Sequence, residues 1–227
     1  MTLDDVLECL RSARPPGQRT SPKSPTELAQ GAVSSPSSGA GTRGDHDLNP
    51  DFYDPKRPLK GAAVLVPLVV RTEGLTVLLT KRTSHLQHHP GQISFPGGGI
   101  DPVDEDAKAA ALRETEEEIG LDRRRIDLVG RLDTYLTRTG FEIYPLIGIV
   151  TPPFTLTPDT FEVAEIIEVP LPFFLEPDNR VHHSRVFEGK ERYYYAYPYG
   201  DHYIWGATAG MLNNLVELLS GAKGQRS

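Results

Sequence analysis

The segment from Gly97 to Leu121 constrains this chain more than any other, because it concentrates negative charge on a stretch with helical periodicity. It contains eight carboxylates and two basic residues, and so carries six of the seven net negative charges of the chain. Such a density repels itself unless a cation lies among the acids. A solvated acidic helix would have the same composition, so the spacing has to decide between the two.

Small and apolar residues recur at helical spacing from residue 104 to 119, which predicts a helix. At roughly 100° per residue, Glu114, Glu117 and Glu118 fall on one arc beside this stripe, and Glu116 points to the opposite side. Three carboxylates on one face favour a shared hard cation. Oxygen ligands with no nearby cysteine suit magnesium or manganese. We therefore predict a metal site on this helix and a solvated Glu116.

The fixed positions of this segment match a known signature. Gly99, Glu105 and the run 113–121 have the spacing of the Nudix box, and Thr115 stands where the family usually has an aliphatic residue. The chain thus resembles the Nudix superfamily, hydrolases that cleave diphosphates linked to another moiety. The resemblance implies an α+β fold, the Nudix α/β/α sandwich with a mixed, curved sheet.

The resemblance also implies roles for individual residues. Glu114, Glu117 and Glu118 would be the metal ligands, helped by a main-chain carbonyl at Gly98 or Gly99. Glu105 and Arg113 would form an ion pair that orients the site. The catalytic base would be one of these glutamates or a glutamate from a later loop, for which Glu162 matches best and Glu165 is second.

A second motif precedes the box and bears on the substrate. Residues 78–83 and 91–98 resemble the second signature of coenzyme A diphosphatases within the superfamily, with Thr83 for the usual Ser and Ile93 for the usual Val. The resemblance implies hydrolysis of coenzyme A or its thioesters. We expect Lys81, Arg82, Gly97 and Gly98 to bind this substrate.

Gln87 departs from this second signature, because an arginine is usual there. The change removes a charge that would suit the 3′-phosphate of coenzyme A. It therefore keeps a Nudix hydrolase of ADP-ribose or NADH open as an alternative. A nucleotide sensor without turnover and a structural protein with a solvated acidic helix are more remote alternatives.

Composition suggests one domain with extensions. The 227 residues are 38% apolar, which is enough for a sizeable core. We expect a short N-terminal helix and a flexible linker over 1–58, the Nudix domain over 59–220 and a tail over 221–227. The linker is rich in Pro, Gly, Ser and Thr and cannot bury much apolar surface. Part of it near Phe52 could instead fold back onto the domain.

The remaining segments give weaker signals. We predict β-hairpins around residues 73–74 and 188–189, strands over 126–135 and 141–150, and a helix over 208–219. The tyrosines between 193 and 203 should be divided between the core and a surface that could stack on a purine. His85, His88 and His89 invite a zinc site, but a polar loop explains them sufficiently.

Several functional classes are disfavoured. No apolar run approaches the roughly 18–20 residues of a membrane span. A pI near 5.5 without a basic cluster argues against general nucleic-acid binding. The one cysteine, Cys9, fits a reducing compartment, so we expect a cytoplasmic protein. The family resemblance leaves room for a homodimer, which no feature of the sequence itself indicates.

Overall fold

A computed structural model of the chain describes residues 1–12, 41–52, 54, 56–86 and 89–221. Its helices are α1 (Leu3–Ser12), α2 (Ala107–Ile119), α3 (Leu171–Leu175) and α4 (Ala207–Gly221). Its strands are β1 (Thr42–Gly44), β2 (Lys60–Arg71), β3 (Gly74–Arg82), β4 (Ile93–Ser94), β5 (Gly97–Gly99), β6 (Ile126–Arg131), β7 (Thr134–Leu136), β8 (Phe141–Val150), β9 (Val163–Pro170), β10 (Val181–Phe187), β11 (Lys190–Tyr199) and β12 (His202–Trp205). In this part of the chain, no helix combines the length and apolar content that a membrane span needs.

The main sheet is mixed. Its principal order is β1-β7-β8-β2-β3-β4, with β5 beside β2, β6 beside β8 and β9 beside β3. The central pair β2 and β8 is parallel, whereas β2 and β3 form an antiparallel hairpin. A second, three-stranded sheet has the order β10-β11-β12. The expected α+β class with a mixed sheet is confirmed.

The two faces of the main sheet are covered by different helices. On β2, alternation sends Val64, Val66 and Leu68 into one core with side chains of α1 and α4. Ala63 points into a second core with the alanines of α2, namely Ala107, Ala110 and Ala111. Because these side chains are so small, α2 packs close to the sheet.

Most predicted elements are present, with two differences. Hairpin β10–β11 turns at Glu188 and Gly189, both of which have positive φ. The predicted strand over 126–135 is divided into β6 and β7, and both pair with β8. The segment 157–175, for which we predict no element, contains β9 and α3.

The N-terminal helix belongs to the folded core. In α1, Val6 is fully buried, and the Cys9 thiol donates to the carbonyl of Leu219 in α4 at 3.6 Å. The predicted linker lies mostly in 13–40, outside the described residues. The structure therefore extends the folded unit beyond the predicted boundary at residue 59, because the apolar stripe of α1 has a partner in α4.

Residues 41–52 also pack on the domain. Strand β1 pairs in parallel with β7, and the buried Asn49 donates to the carbonyl of Tyr193 at 2.8 Å. The Tyr193 amide donates back to Asn49 Oδ1 at 2.9 Å. These contacts agree with the alternative in which the end of the predicted linker folds back onto the domain. Strand β1 could not be predicted from the sequence, because three residues are too few to show a periodicity.

The packing of α1 generates a prediction. Leu10→Ala should lower the free energy of unfolding by about 3 kcal/mol, because it leaves a cavity in the core. Arg11→Ala, at an exposed site on the same helix, should change it by less than about 0.5 kcal/mol. Thermal denaturation of both variants measures the difference. Equal melting temperatures would show that α1 is not part of the core.

Candidate metal and diphosphate site

The glycines of β5 permit an unusually close approach of three elements. Gly97 has φ +146°, and a Cβ there would lie 2.4 Å from the carbonyl oxygen of Ala63 in β2. A Cβ on Gly98 would lie 2.5 Å from the carboxylate of Glu114. Glycine is therefore required for β5 to fit between β2 and the carboxylates of α2.

Helix α2 is fixed at both ends. Asp106 is its N-cap and accepts from the amides of Lys108 and Ala109 at 2.9 Å. The helix therefore begins at residue 107 instead of 104, because the capping residue is not itself helical. Gly120 ends it with φ +66°. A side chain at Gly120 would collide with the backbone of Thr157.

The unusual Thr115 is accommodated inside the helix. Its side chain is fully buried, where the family usually has an aliphatic residue. Its hydroxyl donates to the carbonyl of Ala111 at 2.7 Å, one turn earlier. The hydroxyl is thus satisfied locally, and the substitution adds no unpaired polar group to the core.

Glu118 is the buried acid of the site. Its Oε2 accepts from the Gly97 amide at 3.2 Å, and its Oε1 lies 3.8 Å from Arg82 Nη1. Burial raises the pKa of Glu118 from its ordinary 4.5 to about 7, an effect that the Gly97 amide and Arg82 oppose and that Glu114 and Glu162 reinforce. The charged form of Glu118 therefore lacks full compensation from the protein.

Arg113 connects the other acids. Its Nε and Nη2 each donate to the Asp104 carboxylate at 2.9 Å. Its Nη1 donates to Glu114 at 2.9 Å and to Glu117 at 3.0 Å. These bonds to Arg113 hold the pKa of Asp104 below its usual range. Burial raises the pKa of Glu114 despite the contact with Arg113.

The predicted ion pair between Glu105 and Arg113 is not formed. Glu105 is exposed, whereas Asp104 is buried and occupies the position of the partner. Asp104 also accepts from the amide of Asp101 at 2.8 Å, so its loop folds into a turn that aims it at Arg113. Sequence spacing cannot distinguish two adjacent acids in a loop, because the helical phase begins only at residue 107.

Glu116 lies away from these acids, as its helical phase predicts. Its carboxylate pairs with Arg123, whose Nη2 is 2.6 Å from Oε2. Glu117 is on the side of Arg113, with 61% of its side chain exposed. The two neighbours therefore face different partners.

The substrate-binding candidates extend the site along β3. Arg82 Nη2 lies 3.9 Å from Glu162 Oε2, and the amide of Thr83 donates to the carbonyl of Glu162 at 2.9 Å. Lys81 pairs instead with Glu165, at 3.8 Å. Of the two candidate glutamates that follow the helix, Glu162 is therefore the one beside the buried Glu118. Glu165 lies farther along the chain, in β9, and is paired with Lys81. Gln87 and His88 lie outside the described residues.

The donor set suits a hard divalent cation. Among the described residues, no three His, Cys, Asp or Glu side chains are already arranged around a metal position, because Arg113 lies between Glu114 and Glu117. The donors are nevertheless all oxygens, and Glu118 is a buried acid whose ionised form needs a cation. The residues present therefore fit magnesium or manganese.

The burial of Glu118 generates a prediction about pH. Because its pKa is raised on folding, the metal-free protein should lose stability as the pH rises from about 4.5 to about 7. Glu118→Gln removes the cost of ionisation, so this variant should melt above the wild type near pH 8 and at nearly the same temperature near pH 4.

Manganese provides the second half of this test. It should raise the melting temperature of the wild type near pH 8 by several degrees and raise that of Glu118→Gln much less. Thermal denaturation with a chelator and with manganese measures both effects. A wild type that is more stable than the variant near pH 8 without metal would contradict the assignment.

Comparisons with known proteins place this site in a family. The family model described as NUDIX domain matches residues 59–187, more than half of the chain. The uncharacterized Nudix hydrolase NudL of Photorhabdus laumondii is 36% identical over 156 residues, which are 69% of this chain and 83% of that protein. Nudix hydrolase 15, mitochondrial, of Arabidopsis thaliana is 40% identical over 171 residues, 72% of this chain and 59% of that protein.

A solved structure overlaps with part of the chain. The crystal structure of a C. elegans Ap4A hydrolase covers 49% of this chain and 80% of its own, with 21% identity and a TM-score of 0.43. An overlap at this level carries no information about substrate. The family model and the sequence relatives are sufficient: this chain belongs to the Nudix family and is a hydrolase that acts on phosphorus-containing anhydrides.

Proposed function

We propose that this Nudix hydrolase cleaves the diphosphate of coenzyme A or its thioesters with magnesium or manganese. Water would add to one phosphorus and the bridging oxygen would leave, giving adenosine 3′,5′-bisphosphate and a 4′-phosphopantetheine product. The observation that carries the proposal is the position of the second signature. Its residues form β3, β4 and β5, which lead to Gly97 and bring Arg82 to 3.8 Å from Glu118.

Nudix hydrolases generally use divalent metal ions. Here the carboxylates of Glu114, Glu117 and Glu118, with the carbonyl of Gly98, would hold them. The chemistry that a divalent ion would supply there is neutralisation of the diphosphate charge and activation of the attacking water.

The residues of the chain have separate tasks in this scheme. Arg82 binds a diphosphate oxygen, because its guanidinium is partly exposed and lies between two acids of the site. Glu162 accepts the proton of the attacking water, since its side chain is 43% exposed beside Arg82. Glu165 is less suited to this role because Lys81 and His202 contact its carboxylate.

Arg113 positions the acids and does not touch the substrate in this scheme. Its bidentate bond with the buried Asp104 fixes the guanidinium, which then sets the side chains of Glu114 and Glu117. A bidentate pair is both strong and geometrically specific. Loss of Asp104 would therefore disorder two carboxylates at once.

A second substrate class is favoured by one observation. Gln87 supplies no charge to the 3′-phosphate that distinguishes coenzyme A from ADP-ribose and NADH. A hydrolase of either compound would use the same carboxylates.

We further propose that the protein is cytoplasmic, because its cysteine content fits a reducing compartment. A homodimer is a separate proposal, which rests on the family resemblance.

The proposed reaction predicts specific products. With manganese or magnesium, the protein should release adenosine 3′,5′-bisphosphate from coenzyme A and cleave dephospho-coenzyme A, ADP-ribose and NADH more slowly. Glu117→Gln should reduce turnover by about a thousandfold, and Glu116→Gln should leave it nearly unchanged. Chromatographic product analysis measures all of these reactions.

Two outcomes would change the conclusion. Preference for ADP-ribose or NADH would keep the Nudix chemistry and reject the proposed substrate. A Glu116→Gln variant as inactive as Glu117→Gln would instead reject the assignment of the helix face.

A matched pair of variants separates the two adjacent acids. Asp104→Asn should lower kcat by roughly 10- to 100-fold, because Arg113 loses a bidentate charged partner. Glu105→Gln, the matched control, should retain activity within about twofold, since its side chain is exposed. Steady-state kinetics on folded variants decides. A larger loss for Glu105→Gln would restore the ion pair that the family resemblance implied.

A further inference from the structure

A cavity of about 270 Å³ lies apart from the carboxylates, between residues 43–49, hairpin β10–β11 and the start of α4. Its lining includes no residue of α2 or β5. Ligand pockets for drug-sized molecules are typically about 300–1,000 Å³, so this one suits a group no larger than a nucleoside.

The walls of the cavity are aromatic. Tyr193, Tyr194, Tyr195 and Trp205 line it, together with the buried Tyr135. Tyr194 and Trp205 contact each other at 5.4 Å between ring centroids, so their planes are fixed. Aromatic side chains of this kind stack on nucleobases without requiring a particular base.

Arginines surround the same space. Arg43, Arg138, Arg185 and Arg192 line the cavity, against two aspartates, Asp45 and Asp47. Arg43 is held by Glu217 at 2.5 Å, and the guanidinium of Arg138 stacks on Phe187 at 4.1 Å. The positive groups are therefore largely fixed before any ligand arrives.

The register of the hairpin brings two of these charges together. Arg185 and Arg192 are directly opposite each other in the antiparallel pair β10–β11. Arg192 is already paired with Asp51, whose Oδ1 lies 2.5 Å from Nη1. Arg185 is exposed at the cavity, and a phosphate has the geometry that an arginine binds best.

The cavity also offers a hydrogen-bond acceptor. Asp45 Oδ1 accepts from the Tyr135 hydroxyl at 2.9 Å, and Oδ2 accepts from the amide of Arg138 at 2.7 Å. A carboxylate keeps further lone pairs for the amino group of a base or the hydroxyl of a ribose. Aromatic side chains, the exposed guanidinium of Arg185 and one acceptor together match a phosphorylated nucleoside.

The cavity is level with the metal-binding strand. Tyr135 pairs with Ile143, Ile143 with Ala62, and Ala62 with Gly99. Three strand spacings of about 4.8 Å separate Tyr135 from Gly99 by roughly 14 Å. The cavity lies on the face of the sheet that α4 covers, whereas the carboxylates lie on the face that α2 covers, so a substrate that contacts both places has to pass around the edge of the sheet.

We propose that this cavity binds a phosphorylated nucleoside, with the base against the aromatic wall formed by Tyr194 and Trp205 and the phosphate at Arg185. The nucleoside comes either from the substrate itself or from a free nucleotide. Binding of a phosphorylated nucleoside in the cavity does not require coenzyme A to be the substrate. Only the assignment of this nucleoside to the substrate rests on the proposed function.

Trp205 makes direct binding measurable, because it is the one tryptophan in the sequence. With a chelator present, adenosine 3′,5′-bisphosphate should quench Trp205 fluorescence saturably, and phosphopantetheine should not. Arg185→Ser should weaken this binding about tenfold, since it removes a charged partner of the phosphate. Arg185 is exposed, so the variant should fold normally.

Arg124→Ser is the matched control. Arg124 is an arginine with 86% of its side chain exposed, and it is not part of the cavity. It should bind the probe as tightly as the wild type. Absence of quenching in the wild type, or equal affinity of Arg185→Ser and wild type, would overturn the proposal.

Kinetics then identify the source of the nucleoside. If it belongs to the substrate, Arg185→Ser should raise KM for coenzyme A about tenfold and leave kcat nearly unchanged. If it is a free nucleotide, the probe should alter turnover without competing with the substrate, and Arg185→Ser should abolish that effect. Both results support a nucleotide site. Absence of coenzyme A turnover would reject the proposed function alone, because the fluorescence measurement needs no turnover.

Discussion

The site depends on the absence of side chains where β5, β2 and α2 meet. Gly97 and Gly98 leave no space for a Cβ, and the alanines of α2 let the helix lie close to Ala63. The backbone of β5 therefore reaches the helix carboxylates directly, and the Gly97 amide donates to Glu118. A single added methyl group at Gly98 would displace Glu114. The close packing of these backbone segments is thus what brings the carboxylates and the Gly97 amide together in the absence of a ligand.

This packing has an electrostatic consequence. It places Glu118 in the interior and leaves two arginines to compensate the group of acids from either side. Arg113 binds one set of carboxylates, and Arg82 lies between Glu118 and Glu162. Arginine and metal are therefore alternative sources of positive charge for the same oxygens. Without metal, the arginines neutralise the buried carboxylates only in part, and the remaining charge raises the free energy of the folded protein. Bound metal ions lower this free energy, so the arrangement favours metal binding.

The sequence was informative where a regular period or a fixed spacing exists. Helix α2, the hairpins and the opposite orientations of Glu116 and Glu117 all follow from periodicity. The role of Asp104 could not be found in this way, since a turn outside the helix orients it and Glu105 is its neighbour. The pairing of β1 with β7 and the packing of α1 were also inaccessible, because each depends on partners that are distant along the chain. The sequence predicts that Arg82 binds the substrate, but its position between Glu118 and Glu162 could be seen only once the strands were in register.

The contact between α1 and α4 also bears on how the protein matures during synthesis. The Cys9 thiol meets the carbonyl of Leu219, 210 residues later. The apolar face of α1 therefore stays uncovered during synthesis until α4 has been made. Domains usually fold as units as they emerge, and exposed apolar surface invites aggregation in the interval. The nascent chain is thus most vulnerable between the synthesis of α1 and that of α4.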